Sequence, residues 1–205
     1  MTKLLYSPGA CSIGIHVLLE EIGKPYEAVP FNLREGAHFK PDFMSFNPKS
    51  KVPVLVRDDG SVLTEFPAIA YWLARTNPDK HLLPDDVEGQ TRALEAMDYA
   101  VSTLHMHGFS RLFRPGNYAA RDEDHDGVKA RGKEMVEKGF ALLDKALEGK
   151  EYIAGTFSVA DAAVFYVEFW GADRMGMTLP ANCAAHLARM KTRPAVASVL
   201  KKEGF

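Results

Sequence analysis

Short apolar runs alternate with helical periodicity over roughly the first 75 residues, and helical periodicity alone continues to the end of the chain. Leu4-Leu5-Tyr6 reads as a strand, followed almost at once by an amphipathic helix over residues 13–22 that Gly23 closes. Glu27 to Phe31 reads as a second strand, and Pro30, which has no N–H for a ladder, places that strand at a sheet edge. Residues 34–47 are irregular, with Gly36 and Pro41 inside the stretch and Pro48 just past it. Two further strands, over 52–56 and 61–63, flank Asp58-Asp59-Gly60, a strong hairpin signal. Pro67 suits the first turn of a helix that runs to about residue 75, where Thr76-Asn77-Pro78 stops it.

Beyond Pro84 no convincing strand remains. Long helices are expected over 88–113, 127–147 and 158–175, with shorter ones over 184–190 and 195–202. Pro115-Gly116, Gly149, Gly155, Pro180 and Pro194 punctuate the gaps. The pattern therefore predicts an α/β domain over 1–78, a linker near 77–86, and an all-α domain over 87–205. A β-α-β unit, then a β-hairpin, then a helix is the order of a thioredoxin-like domain. There is no internal repeat and no low-complexity segment.

Composition narrows the function. The chain has 205 residues, 46% hydrophobic and 25% charged, which suffices for a sizeable core. A net charge of -2 leaves no electrostatic footprint for nucleic acid or an anionic membrane. No apolar run approaches transmembrane length, and no charged leader precedes a long apolar segment, so neither an anchor nor a signal peptide is expected. Two cysteines, Cys11 and Cys183, are too few for a disulfide framework, and the expected setting is the reduced cytoplasm. The seven histidines lack metal-ligand spacing, so no metal is expected.

Cys11 is the leading chemical candidate. It lies in Tyr6-Ser7-Pro8-Gly9-Ala10-Cys11-Ser12, a turn that feeds the first helix. The unpaired N–H groups and positive dipole end of a helix N-terminus favour thiolate, so the position points to an acidic, nucleophilic thiol, the alternative being a small buried hydrophobe as most free cysteines are. Position 14 is Gly, so there is no Cys-x-x-Cys pair and no resolving thiol. Val52-Pro53 opens the third strand, either as a trans edge device or as a cis bond that frees backbone groups for a ligand. On the 88–113 helix Asp98, Ser102 and His105 are spaced to share one face, while His107 lies roughly 200° round from His105. Gly108 is a candidate site for a bulge in that helix. Ser158-Val159-Ala160-Asp161 reads as a capping box with a structural role, and Cys183 and Tyr6 read as structural or supporting residues.

The turn carrying Cys11, Asn47-Pro48-Lys49 followed by Val52-Pro53-Val54-Leu55, Leu63-Thr64-Glu65 and Phe157-Ser158-Val159-Ala160-Asp161 occur in one order across nearly the whole chain. In this the sequence resembles the cytosolic glutathione transferases, specifically the bacterial beta class. The resemblance implies the glutathione transferase fold, a thioredoxin-like domain followed by an all-α domain, and a homodimer. It also implies glutathione as co-substrate, conjugated to a hydrophobic electrophile. Pro53 matches the family's cis-proline, leaving the Val52 backbone to pair with the cysteinyl part of glutathione, and Glu65 matches the residue at the γ-glutamyl end. Phe66 stands where the family has a small residue, often Ser; it keeps an N–H but has no hydroxyl, and one lost hydrogen bond costs about 0.5–1.5 kcal/mol. The family's lysine after the second strand has no single counterpart among Arg34, His38 and Lys40. The family's Asn and His on the helix beside the thiol correspond to Asp98 and His105 only if one residue is inserted after His105; otherwise Met106 and His107 take the His and Lys places. The implied catalytic set is Cys11, Ser12 and His105. The implied glutathione contacts are Cys11, Val52, Pro53, Glu65, Phe66, Asp98, Ser102, His105 and His107. Phe109, Phe113, Tyr166, Phe169 and Trp170 are the expected walls for the second substrate. Whether Cys11 is catalyst or anchor stays open, as do a glutathione-dependent disulfide reductase or peroxidase and a ligand-binding protein with little turnover.

Overall fold

The computed structural model describes residues 1–205. Strands β1 (Lys3–Tyr6), β2 (Glu27–Pro30), β3 (Val54–Val56) and β4 (Val62–Thr64) form one sheet in the order β2-β1-β3-β4. β1 pairs parallel with β2 (Leu4 opposite Ala28), and helix α1 (Ser12–Ile22) makes the crossover between them. β3 runs antiparallel to both β1 and β4, with Leu55 opposite Leu4 and Leu63. Pro30 does sit in the edge strand, where its missing N–H leaves no gap in the ladder. The β3–β4 turn closes through Arg57 N–H to Ser61 C=O at 2.8 Å. The stretch read as irregular contains a short helix α2 (Pro41–Met44) and two single 3-10 turns; elements this short show no periodicity in a sequence.

Helix α3 (Phe66–Thr76) completes the sheet half, and the rest of the chain is helical: α4 (Val87–Asp98), α5 (Ser110–Phe113), α6 (His125–Ala146), α7 (Val159–Phe169), α8 (Ala181–Thr192) and α9 (Pro194–Glu203). No helix is long and apolar enough to cross a membrane. The expected single helix over 88–113 is instead α4, a π-helical stretch from Tyr99 to Phe109, and α5 in continuous succession. The wider i→i+5 turn absorbs extra residues without breaking the rod, which is what a bulge near Gly108 requires. A second π stretch, Trp170–Arg174, extends α7.

The two halves share one core. A single apolar cluster runs from Leu4, Ile13 and Ile15 through Phe66 and Ile69 to Phe140, Val164 and Phe165. Every residue of α7 is buried, so this helix is the centre of the molecule and its start must be well satisfied. The capping box provides that. Asp161 accepts from Ser158 N–H and from Ile153 N–H, both at 2.8 Å, and Ser158 Oγ accepts from Ala160 N–H at 3.3 Å. His186 of α8 bridges Asp161 (3.1 Å) and Glu168 (2.7 Å), all three groups being buried. Burial alone would lower the His186 pKa, but hydrogen bonds to the two carboxylates outweigh it and raise the value to about 9.

Removing Asp161 strips two backbone donors and leaves His186 with one partner. Asp161→Ala should therefore lower the unfolding free energy by about 3–5 kcal/mol, read by urea denaturation. The raised His186 pKa contributes stability that is complete below pH ~6.5, the unfolded value, and is lost as pH rises through about 9. Urea midpoints at the two ends of that range should fall with pH in the wild type and converge in the double variant Glu168→Gln/His186→Gln, both changes being needed because burial raises the Glu168 pKa to about 7, inside the same range.

Candidate active site

Five segments meet at a cleft of about 460 Å³: the Ser7–Cys11 turn, the turns over 33–38, the 50–52 loop, the π stretch with α5 and the residues just past it, and the π stretch that extends α7. Cys11 sits at the N-cap of α1, buried, with its Sγ–H directed to the Val52 carbonyl at 3.4 Å. The expectation of an acidic thiol is overturned. Burial pushes the Cys11 pKa up to about 12, and the backbone N–H groups of Ser12 and Cys11 offset only part of that rise. Desolvation exceeds the helix-terminal effect because the turn is packed beneath the helical half.

That packing centres on Gly9. Its N–H donates to Glu203 at 2.7 Å, and its carbonyl accepts from Trp170 Nε1 at 2.8 Å and Arg174 at 3.0 Å. Glu203 also binds His16 of α1 at 2.7 Å, with both side chains buried. Gly9 has φ 67°, and a Cβ there would lie 2.6 Å from the Phe205 ring, so only glycine fits this turn.

Val52-Pro53 is a cis peptide bond, and the Val52 N–H makes no backbone hydrogen bond. Glu65 caps α3 with φ 73° and ψ 125°, a sparsely populated conformation for a non-glycine residue that costs on the order of 1–3 kcal/mol. Its carboxylate pairs with Lys49, whose Nζ also reaches Thr64 Oγ1 at 2.7 Å. Strain and an ion pair together hold a carboxylate beside the free N–H groups of a helix N-terminus, an arrangement suited to a zwitterionic group.

His105 lines the cleft, while His107 is exposed and does not. The 3.3 Å contact between Tyr166 O–H and His105 Nδ1 ties the ring to α7. Burial, with Lys51 and Arg114 nearby, lowers the His105 pKa to about 4, so the imidazole is neutral near pH 7. The Tyr166 pKa is driven far up by burial, so it keeps its proton.

Several expected site residues stand elsewhere. Ser12 does not open to the cleft; its hydroxyl is tied to the Ser7 backbone, accepting at 3.2 Å and donating at 3.3 Å. Asp98 and Ser102 do share a face, but Ser102 Oγ donates back to the Asp98 carbonyl at 2.7 Å and neither lines the cleft. Phe66 turns inward against Tyr166 (5.4 Å), leaving only its backbone at the α3 terminus. Phe113 and Trp170 form cleft wall, Phe109 stacks behind Phe113, and Tyr166 lies beneath His105. Phe169 points instead to Phe205 at the C-terminus, because successive residues of α7 project in different directions. Of the three candidates for the loop cation, Arg34 and His38 line the cleft and Lys40 does not. Lys51, Arg114 and Arg174 also line it, and only Lys51, next to Val52, stood near a sequence motif.

The Gly14 position has a steric explanation. A Cβ there would meet the Ala162 carbonyl at 2.6 Å and the Phe66 ring at 2.8 Å, so α1 and α7 approach too closely for a side chain. Gly14→Cys should cost about 1–3 kcal/mol by overpacking. It should also form no disulfide with Cys11 under oxidation, read by urea denaturation and thiol counting.

The family described as "Glutathione S-transferase, N-terminal domain" matches residues 9–76. Glutathione S-transferase GstA of Escherichia coli O157:H7 is 35% identical over 207 residues, spanning 99% of each chain. The bacterial beta-class glutathione S-transferase of Sphingomonas chungbukensis superimposes with a TM-score of 0.84 at 36% identity, over 98% of both chains. A glutathione transferase homologue from Sulfitobacter, solved with bound glutathione, superimposes with a TM-score of 0.93 at 27% identity, over 100% of this chain and 99% of that one. With the thioredoxin-like sheet, the cis-proline loop and the helical half all in place, this chain belongs to the cytosolic glutathione transferase superfamily and is a glutathione transferase.

Proposed function

We propose that the protein, as a homodimer, joins glutathione to an electrophile held in the cleft, with Cys11 serving as a hydrogen-bond donor to the glutathione sulfur rather than as a nucleophile. The supporting observation is that Cys11 is a buried thiol held well above the usual cysteine pKa, its proton directed to the Val52 carbonyl. In this reading the cysteinyl backbone of glutathione pairs with Val52, the γ-glutamyl end lies between Glu65 and the α3 N-terminus, and the freed Cys11 S–H turns to the ligand sulfur. A donor stabilises thiolate over thiol, so the anion that reacts belongs to glutathione. With an aryl halide, that sulfur's electron pair forms the carbon–sulfur bond, the carbon–halogen bond breaks, and halide leaves with its electrons. The thiol proton passes to solvent, since a base of pKa about 4 is too weak to hold it. If Tyr166 donates to His105 Nδ1, the Nε2–H of His105 is a second donor toward the cleft.

A mixed-disulfide reductase is the competing reading, because Cys11 lines the cleft and needs only access and a thiolate. Conjugation of 1-chloro-2,4-dinitrobenzene by wild type, Cys11→Ser and Cys11→Ala separates the two. The donor role predicts that Cys11→Ala loses about 10- to 100-fold in kcat/KM, as for one hydrogen bond to a charged group, with the serine variant keeping most activity. The apparent pKa of bound glutathione should also rise by about one to two in Cys11→Ala. Equal loss in both variants, with one glutathione added to Cys11 in the intact mass after incubation with oxidised glutathione, would favour the reductase.

A further inference from the structure

The cleft wall is cationic as well as aromatic. Arg34, Lys51, Arg114 and Arg174 all line it, no Asp or Glu does, and none of the four enters an ion pair with the protein. Elsewhere the chain pairs its charges freely, as Arg92 does with two glutamates and Arg121 with two carboxylates. Four unpaired like charges around one hollow repel each other and raise the potential there, a cost that a bound anion removes. His38 adds a separate sign of a ligand: it is buried in the same wall, and its Nδ1 has no hydrogen-bond partner.

Glutathione accounts for part of this charge. Its γ-glutamyl carboxylate and ammonium suit the α3 terminus and Glu65, and its glycine carboxylate needs one cationic neighbour, for which the cleft offers Lys51 of the 50–52 loop and Arg34. Arg114 and Arg174 remain. They lie on the helical half beside Phe113 and Trp170, the two aromatic walls of the cleft. Arg174 spends one N–H on the Gly9 carbonyl and has four others to offer.

We propose that the second ligand of this cleft is an anion with an aromatic or apolar body, its carboxylate or similar group held by Arg114 and Arg174 and its ring lying against the wall that Phe113 and Trp170 form together, edge to face at 5.3 Å. The inference rests on the transferase reading for the chemistry and corrects it on substrate class: the electrophile is not merely hydrophobic. The reaction is unchanged. The glutathione sulfur forms its bond at the carbon that loses halide, and the carboxylate of the second ligand takes no part in the bond changes.

Binding and turnover test it separately. Unreactive 3,5-dinitrobenzoate and its methyl ester would be titrated against the glutathione-loaded protein, following quenching of tryptophan fluorescence. Their 4-chloro counterparts would be compared in the conjugation assay. The anion should bind about five- to tenfold more tightly than the ester, as expected for partly exposed charge pairs, and 1 M salt should erase most of the difference. In Arg114→Gln the ratio of ester to anion dissociation constants should fall several-fold, Arg114→Lys should restore most of it, and the glutathione KM should move less than twofold. Equal affinity for acid and ester in the wild type would overturn the proposal. So would a rise in glutathione KM as the main effect of Arg114→Gln, since that arginine would then serve the tripeptide. Anion-selective binding with no conjugation of either chloride would sustain the ligand class and defeat the proposed aryl-halide conjugation.

Discussion

The site depends on the closure of the Ser7–Cys11 turn against the helical half. Gly9 has both backbone groups engaged by residues more than 150 positions away, its N–H by Glu203 and its carbonyl by Trp170 and Arg174. Buried peptide groups cannot be left unpaired without a penalty comparable to a lost hydrogen bond, so the turn and the C-terminal residues order each other. Phe205 occupies the space a side chain on Gly9 would fill, which makes the fit steric as well as polar. Cys11, two residues along, inherits its position from this arrangement.

The same closure sets the electrostatics. Excluding water from Cys11 and His105 disfavours the charged form of each, so the thiol keeps its proton and the imidazole loses its own. Both residues next to the expected sulfur position are thus neutral donors or acceptors, surrounded by cations further out. That is an environment for receiving an anion, not for generating one on the protein. The helix N-terminus beneath Cys11 still points the right way, but its pull is weaker than the desolvation that accompanies it.

Local patterns predicted most of the fold. The Asp58-Asp59-Gly60 turn, the edge position of Pro30, the Pro67 helix start and the Ser158–Asp161 capping box each depend on residues a few positions apart, and each is present. Phe169 illustrates the limit. Composition and spacing made it as good a cleft residue as Phe113, yet a helix buried on all sides presents aromatic residues in every direction, and only the neighbours decide which faces the cleft. The π stretch over Tyr99–Phe109 was foreshadowed by two histidines that could not both face one way on a regular helix, and His105 is the one that faces in.

The sequence by itself determined the succession of strands and long helices along the chain, the edge position of Pro30, the Val52-Pro53 and Glu65 signatures and the absence of a second thiol at position 14, because these are properties of short segments. Tertiary structure alone decided that Gly14 has no room for a side chain, that Cys11 is held protonated, and that Arg114 and Arg174 stand with Lys51 around one hollow. Burial and electrostatic potential are sums over everything nearby in space, and the contributors here are spread from residue 9 to residue 205. No window of sequence contains them.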